Sequence, residues 1–177
     1  MKSNDMSRSE IDQIILEEFP YPVALAYRRM LSADESAQRV HTCILAFDNW
    51  FRIAFLPVVV TQLFEPLGFI NENNFNSEID RLLNTYQLKY WLQLLRFILH
   101  AYRNHYNAFF FMPEIYELYW DLSGSEPCKR ADDPWISLEN FAQITENIQN
   151  ERPNLDMLAS ELPTKLQEVM KKIHFHK

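Results

Sequence analysis

Glycine is almost missing from this chain: only Gly68 and Gly124 occur in 177 residues. That excludes Gly-rich phosphate loops, nucleophile elbows and glycine-dependent hairpins, whose backbones need the freedom that a Cβ removes. Cysteine is nearly as scarce. Cys43 and Cys128 are too few and too far apart to form a disulfide framework, so a reduced, cytoplasmic chain is expected. Basic charge is in deficit, with 17 Lys and Arg against 24 Asp and Glu and a net charge of −7. Bulk electrostatic binding to duplex nucleic acid therefore has no support, although a local basic patch on RNA stays open. Long apolar runs are absent too. The longest, Ile53 to Val60, contains Pro57 and falls far short of the roughly 20 residues that span a bilayer, and residues 1–8 carry no apolar leader. A soluble protein that meets no membrane is the expectation.

What is present is hydrophobic bulk, 47% of the residues with 14% aromatic, enough for a substantial core. Its apolar positions recur at helical spacing nearly throughout, and alternation over a strand length is hard to find. The pattern predicts an all-α fold: an antiparallel helical bundle with two long amphipathic helices and short accessory helices, in one domain over 1–177 with linker-like loops at 65–76 and 123–135.

Ser7-x-x-Glu10 is a capping box that opens a helix ending at Glu18. Pro20 and Pro22 then predict an extended turn, followed by a short helix from Ala24 to Leu31. A second box, Ser32-x-x-Glu35, predicts the start of a long helix over 33–64. Its inner face is Val40, Ile44, Phe47, Phe51, Ala54, Phe55 and Val58, with a kink at Pro57. Short helices are expected at 77–86 and 114–122. A second long helix is marked by Leu88, Trp91, Leu92, Leu95, Ile98, Leu99, Tyr102, Tyr106 and Phe109, and a further one runs from Ser137 to Asn150. The last apolar register, Leu155, Leu158, Leu162, Leu166, Val169 and Ile173, is expected to break or kink at Pro163.

Few residues suggest chemistry. His174 and His176, or His100 and His105, lack the spacing of metal ligands, so neither a metal nor a small-molecule cofactor is expected. Cys43 falls on the inner or flanking face of its helix, where it packs as a small hydrophobe. Phe109 to Met112 reads as core or as a docking patch, and Arg28 and Arg29 as buried stems with exposed heads. The sharpest polar row is Arg96, His100, Arg103 and Asn107, spaced to share one face of the second long helix. It reads either as a solvated face or as a contact for an anion, an RNA phosphate or a partner, with Tyr102 and Tyr106 close by for stacking.

Two stretches carry a resemblance. Phe19-Pro-Tyr-Pro-Val-Ala-Leu-Ala-Tyr-Arg-Arg-Met30, with the aromatic-rich helix after it, looks like the N-terminal helical module of large bacterial signalling and conflict-system proteins. Ile144-Thr-Glu-Asn-Ile-Gln-Asn-Glu-Arg-Pro-Asn154 resembles the helix-to-helix junction of HEPN-type domains. In active members that junction carries an Arg-Asn pair and, about four residues on, a His, which converge on an RNA phosphodiester. Here Asn150 matches the Asn, Gln149 stands where the Arg would be and Asn154 where the His would be. Cleavage through the 2′-hydroxyl needs a titrating acid/base and a fixed cation, and Gln and Asn supply neither, while Arg152 offers only charge. The resemblance therefore implies a degenerate, non-catalytic HEPN-like regulatory module that binds a partner protein. The alternatives are an RNA-binding or ribonuclease domain using the Arg/His row, and a bundle that forms homo-oligomers.

Overall fold

The computed structural model describes residues 7–64, 77, 88–105, 119–120, 127, 134–150 and 154–174. The fold over them is all-α, with six helices: α1 (Arg8–Glu18), α2 (Tyr21–Leu31), α3 (Ser36–Phe64), α4 (Leu88–His105), α5 (Pro134–Asn150) and α6 (Leu155–His174). None of these helices is long and apolar enough to cross a membrane. The expected helices at 77–86 and 114–122, the 65–76 loop and the Phe109 to Met112 patch lie largely or wholly outside the described residues. In the 123–135 stretch, Pro127 makes an isolated antiparallel bridge with Trp120. Pro134 and Trp135 already belong to α5, which opens one turn before Ser137 because proline suits a first helical position, where no backbone donor is needed.

The chain gathers into two compact units. The first contains residues 1–53 and 151–175, and the second residues 54–150 with 176–177, so the chain passes from the first to the second within α3.

In the first unit α1 packs against α2 and α6. The α1 capping box forms as expected: the Ser7 amide donates to Glu10 Oε2 (2.7 Å) and the Glu10 amide to Ser7 Oγ (3.4 Å). The Ser7 amide and, at 2.9 Å, its hydroxyl both donate to the carboxylate and hold the Glu10 carboxyl below its usual range. The prolines behave differently from expectation. Pro20 is the extended N-cap and Pro22 sits in the first turn of α2, so the helix begins at Tyr21 rather than Ala24. Val23, Ala26, Tyr27 and Met30, at helical spacing, are then all buried, while Arg28 and Arg29 stay exposed in the last turn, where cations favour the helix dipole.

The Ser32 box is overturned. Ser32 has φ −92° and ψ 0°, and its N–H bonds back to the Arg28 carbonyl, so it ends α2 instead of starting α3. An N-cap needs extended backbone, which Ser32 does not have; α3 begins at Ser36. Its inner face agrees with the expectation at Val40, Phe47, Phe51 and Phe55, to which Cys43, Ala46 and Trp50 are added. Ile44 and Ala54 are only half-buried. The Phe47 ring lies 6.0 Å from Trp50 and 6.2 Å from Phe51. Burying each such side chain contributes about 1.5–3 kcal/mol.

Of the break or kink expected at Pro163, the break is excluded, since α6 runs unbroken from Leu155 to His174 with Pro163 inside it. Leu162, Leu166, Val169 and Met170 are buried on one stripe, and Pro163 is buried beside them. Packing of this stripe outweighs the one backbone bond that the ring removes.

In the second unit α4 packs against α5. Leu92, Leu94, Leu95, Ile98 and Leu99 of α4 meet a core that also holds Trp135, Leu138, Phe141 and Ala142 of α5.

Candidate functional site

Two members of the polar row of α4, Arg96 and His100, make their contacts within their own unit. Arg96 Nη2 forms an ion pair with Glu139, its guanidinium carbon lies 6.0 Å from the centroid of a Trp135 ring, and Trp135 Nε1 donates to the same Glu139 oxygen at 2.8 Å. Trp135 and Glu139 are one turn apart on α5, which is what lets the indole reach. The pair is half-open, with Arg96 43% and Glu139 27% exposed, so screening limits it to about 1 kcal/mol. Arg96 Nε is covered and has no hydrogen-bond partner among the described residues.

One turn on, His100 Nε2 sits 2.6 Å from the Tyr119 hydroxyl, a bond whose donor depends on the imidazole tautomer. His100 also meets Tyr119 and Trp120 edge-on at 5.3 and 4.9 Å between ring centroids, and Tyr119 meets Trp135 in the same way at 4.8 Å. Edge-to-face pairs contribute about 0.5–1.5 kcal/mol each beyond the area they bury. Arg103 is described only by its place in α4, and Asn107 lies outside the described residues. Arg96 and His100, read from the sequence as one face, thus serve a charged pair and an aromatic cluster.

Beside the pair is a groove of about 200 Å³ between α4 and α5. It is lined by Leu92, Gln93 and Arg96 from one helix and by Glu139, Ala142, Gln143 and Glu146 from the other.

At the junction after α5, Gln149 and Asn150 are described only as the last two residues of that helix, and Arg152 lies outside the described residues. Asn154 is the N-cap of α6: its Oδ1 accepts from the amides of Asp156 (3.1 Å) and Met157 (3.2 Å). Its side chain does what asparagine does at helix starts.

The first unit holds a polar network that sequence reasoning missed. Tyr27, fully buried, donates its hydroxyl to Asp12 Oδ1 at 2.5 Å. Gln167 Nε2, on α6, donates to Asp12 Oδ1 and to the Tyr27 hydroxyl at 2.8 Å. Burial, with the Asp12 carboxylate alongside, pushes the Tyr27 phenol far above its usual range. It stays protonated and cannot serve as a base near neutral pH. Burial likewise pushes the Cys43 thiol up, away from the thiolate that nucleophilic chemistry needs. One signal for the network was available: Gln167 is a polar residue inside the buried stripe of α6. Among the described residues, no three His, Cys, Asp or Glu side chains gather as metal ligands do.

No family model, no curated protein and no solved structure matches this chain.

Proposed function

We propose that this chain is a non-catalytic helical interaction module of the cytoplasm, a degenerate HEPN-like antiparallel bundle that binds a partner protein and regulates it. The observation that carries this reading is the exposure of large apolar side chains in the first unit. Leu31 is 41%, Leu155 40% and Met157 52% exposed. Ser36 Oγ donates to Asp156 Oδ1 at 2.5 Å, which ties the start of α3 to the start of α6, the turn that carries Leu155 and Met157. The groups with chemical potential support the same reading. Arg96 is held by Glu139, His100 by Tyr119 and Tyr27 by Asp12, and Asn154 is spent on a cap.

The test is capture from native lysate, with protein and RNA in the eluate quantified separately and a nuclease-treated arm in parallel. The expected result is a stoichiometric protein that survives nuclease and is lost with the double variant Leu31→Ser/Met157→Ser. RNA that is enriched and then shed at raised salt would overturn the reading in favour of an RNA-binding domain using Arg96, His100, Arg103 and Arg152. Mass that rises with concentration, with nothing else captured, would instead indicate self-association.

A further inference from the structure

We infer that the solvent face of α2 docks an acidic segment of the partner, a short peptide in which carboxylates flank large apolar side chains. The inference rests on the reading of the chain as a partner-binding module and names the chemistry that the partner presents.

One face of α2 is buried in the first unit, and helical spacing puts Tyr21, Leu25 and Arg28 in one row on the other, with Pro22 and Arg29 in a second row beside it. The face changes character along its length. Its first turns are apolar: Tyr21 is 75% exposed, Pro22 is exposed and Leu25 half-buried. About 10 Å further along the axis the last turn presents the two exposed arginines. Leu31 follows Arg28 by three residues, so the face runs on to a side chain already assigned to docking.

The two arginines stand apart from others in the chain. Arg39 donates to the Ala33 carbonyl, Arg52 pairs with Asp48 and Arg96 with Glu139. Neither Arg28 nor Arg29 has a side-chain hydrogen bond or an ion pair among the described residues. The helix dipole favours cations at this end, but it asks nothing of Tyr21, two turns away and the most exposed of the large apolar side chains described. The backbone around Tyr21 is fixed before any partner arrives. The Pro20 carbonyl accepts from the amides of Val23 (2.9 Å) and Ala24 (3.1 Å), and Asn49 Nδ2 of α3 donates to the Pro22 carbonyl at 3.1 Å. Little order is therefore lost when the ring becomes an anchor.

Charge selects the occupant. A basic segment is repelled by adjacent guanidinium groups, and a neutral one draws nothing from them. RNA offers phosphates, but it extends past two cations onto a chain whose net charge is −7. A short acidic segment sets its carboxylates on Arg28 and Arg29 and its apolar side chains on Tyr21 and Leu25.

The test titrates the full chain into dye-labelled probes and follows anisotropy. The probes are the peptide Glu-Glu-Leu-Phe-Glu-Glu, its Gln and Lys counterparts, and an oligouridine. The expected result is saturable binding of the Glu peptide in the millimolar range or tighter, about ten-fold weaker binding of the Gln and Lys peptides, and none of the RNA. The chain's own charge of −7 opposes this order, so only a local cationic site produces it. Arg28→Gln/Arg29→Gln removes the preference for Glu. Because that variant also gives up the dipole contact, Tyr21→Ser is the second variant; it changes an exposed position and weakens the Glu peptide about three-fold. Equal or tighter binding of the Gln or Lys peptide, no saturable binding of any peptide, RNA binding that the arginine variant loses, or a Glu preference that survives that variant would overturn the inference. Glu-peptide binding with no lysate capture would leave the face standing and remove the proposed partner, whereas capture untouched by the arginine variant would remove the face alone.

Discussion

Tyr27 is a phenol held between a carboxylate and a carboxamide, and each of its bonds can be removed singly. Tyr27→Phe keeps the buried ring and deletes the donor to Asp12, so a loss of about 1–2 kcal/mol is expected from urea unfolding at pH 7. The pH dependence has a definite sign. The phenol's folded pKa lies above its ordinary value of 10.0, so the unfolded chain gives up that proton first as pH rises. The stabilisation is fully present below pH 10 and is lost above it, at about 1.4 kcal/mol per pH unit. Cys43, raised from an ordinary 9.0, adds a loss of the same sign that begins lower. Thermal melts between pH 8 and 11 should show this decline, and Tyr27→Phe should flatten its upper part. The Cys43 thiol should react with a disulfide reagent only at the rate of unfolding, a link that a reagent-concentration series checks.

Among the elements, α6 gives the clearest expectation. Asn154→Ala should cost about 1 kcal/mol in a melt, and Asn154→Asp should restore most of it, because the carboxylate also accepts from the Asp156 and Met157 amides. A variant that lost a binding activity with its melt unchanged would show that Asn154 does more than cap. The helices also show which signals a sequence exposes. Ser7-x-x-Glu10 was legible because both partners of the box lie within one turn. Ser32-x-x-Glu35 has the same letters, yet the preceding helix claims its serine: Ser32 Oγ donates to the Arg29 carbonyl and its N–H to that of Arg28. At two prolines the helix continues where a break was one expectation, for a single reason. The local penalty of proline was visible at Pro22 and Pro163, whereas the first-turn position of one and the buried stripe around the other depend on where the helix begins and what it packs against.

For the whole molecule, the apolar faces were legible and the polar meetings were not. Helical spacing pointed to Phe47, Phe51, Leu95, Ile98, Leu162 and Leu166, all of them buried. Asp12 and Gln167 stand 155 residues apart, and no spacing rule connects them. Arg96 was found as a cation, but its partner Glu139 was not, since their meeting depends on α4 packing on α5. The proposed docking residues lead to an expectation at this scale. Leu31→Ser/Met157→Ser should cost no more than about 1–2 kcal/mol and leave the chain folded, because about half of each side chain is already solvated, while abolishing capture of the partner. Circular dichroism melts run beside the binding assay separate the two effects.

The Asp12, Tyr27 and Gln167 network also sets an order of events on the ribosome. Tyr27 is made 140 residues before the glutamine that completes its bonds. At about 5–20 residues per second, roughly 7 to 28 s pass between the two. Through that interval α1 and α2 lack α6, while the segment that builds the second unit is being made. The unit begun first therefore waits for α6 until the second unit's helices have been made, and its unfinished surface is what a nascent-chain chaperone would meet.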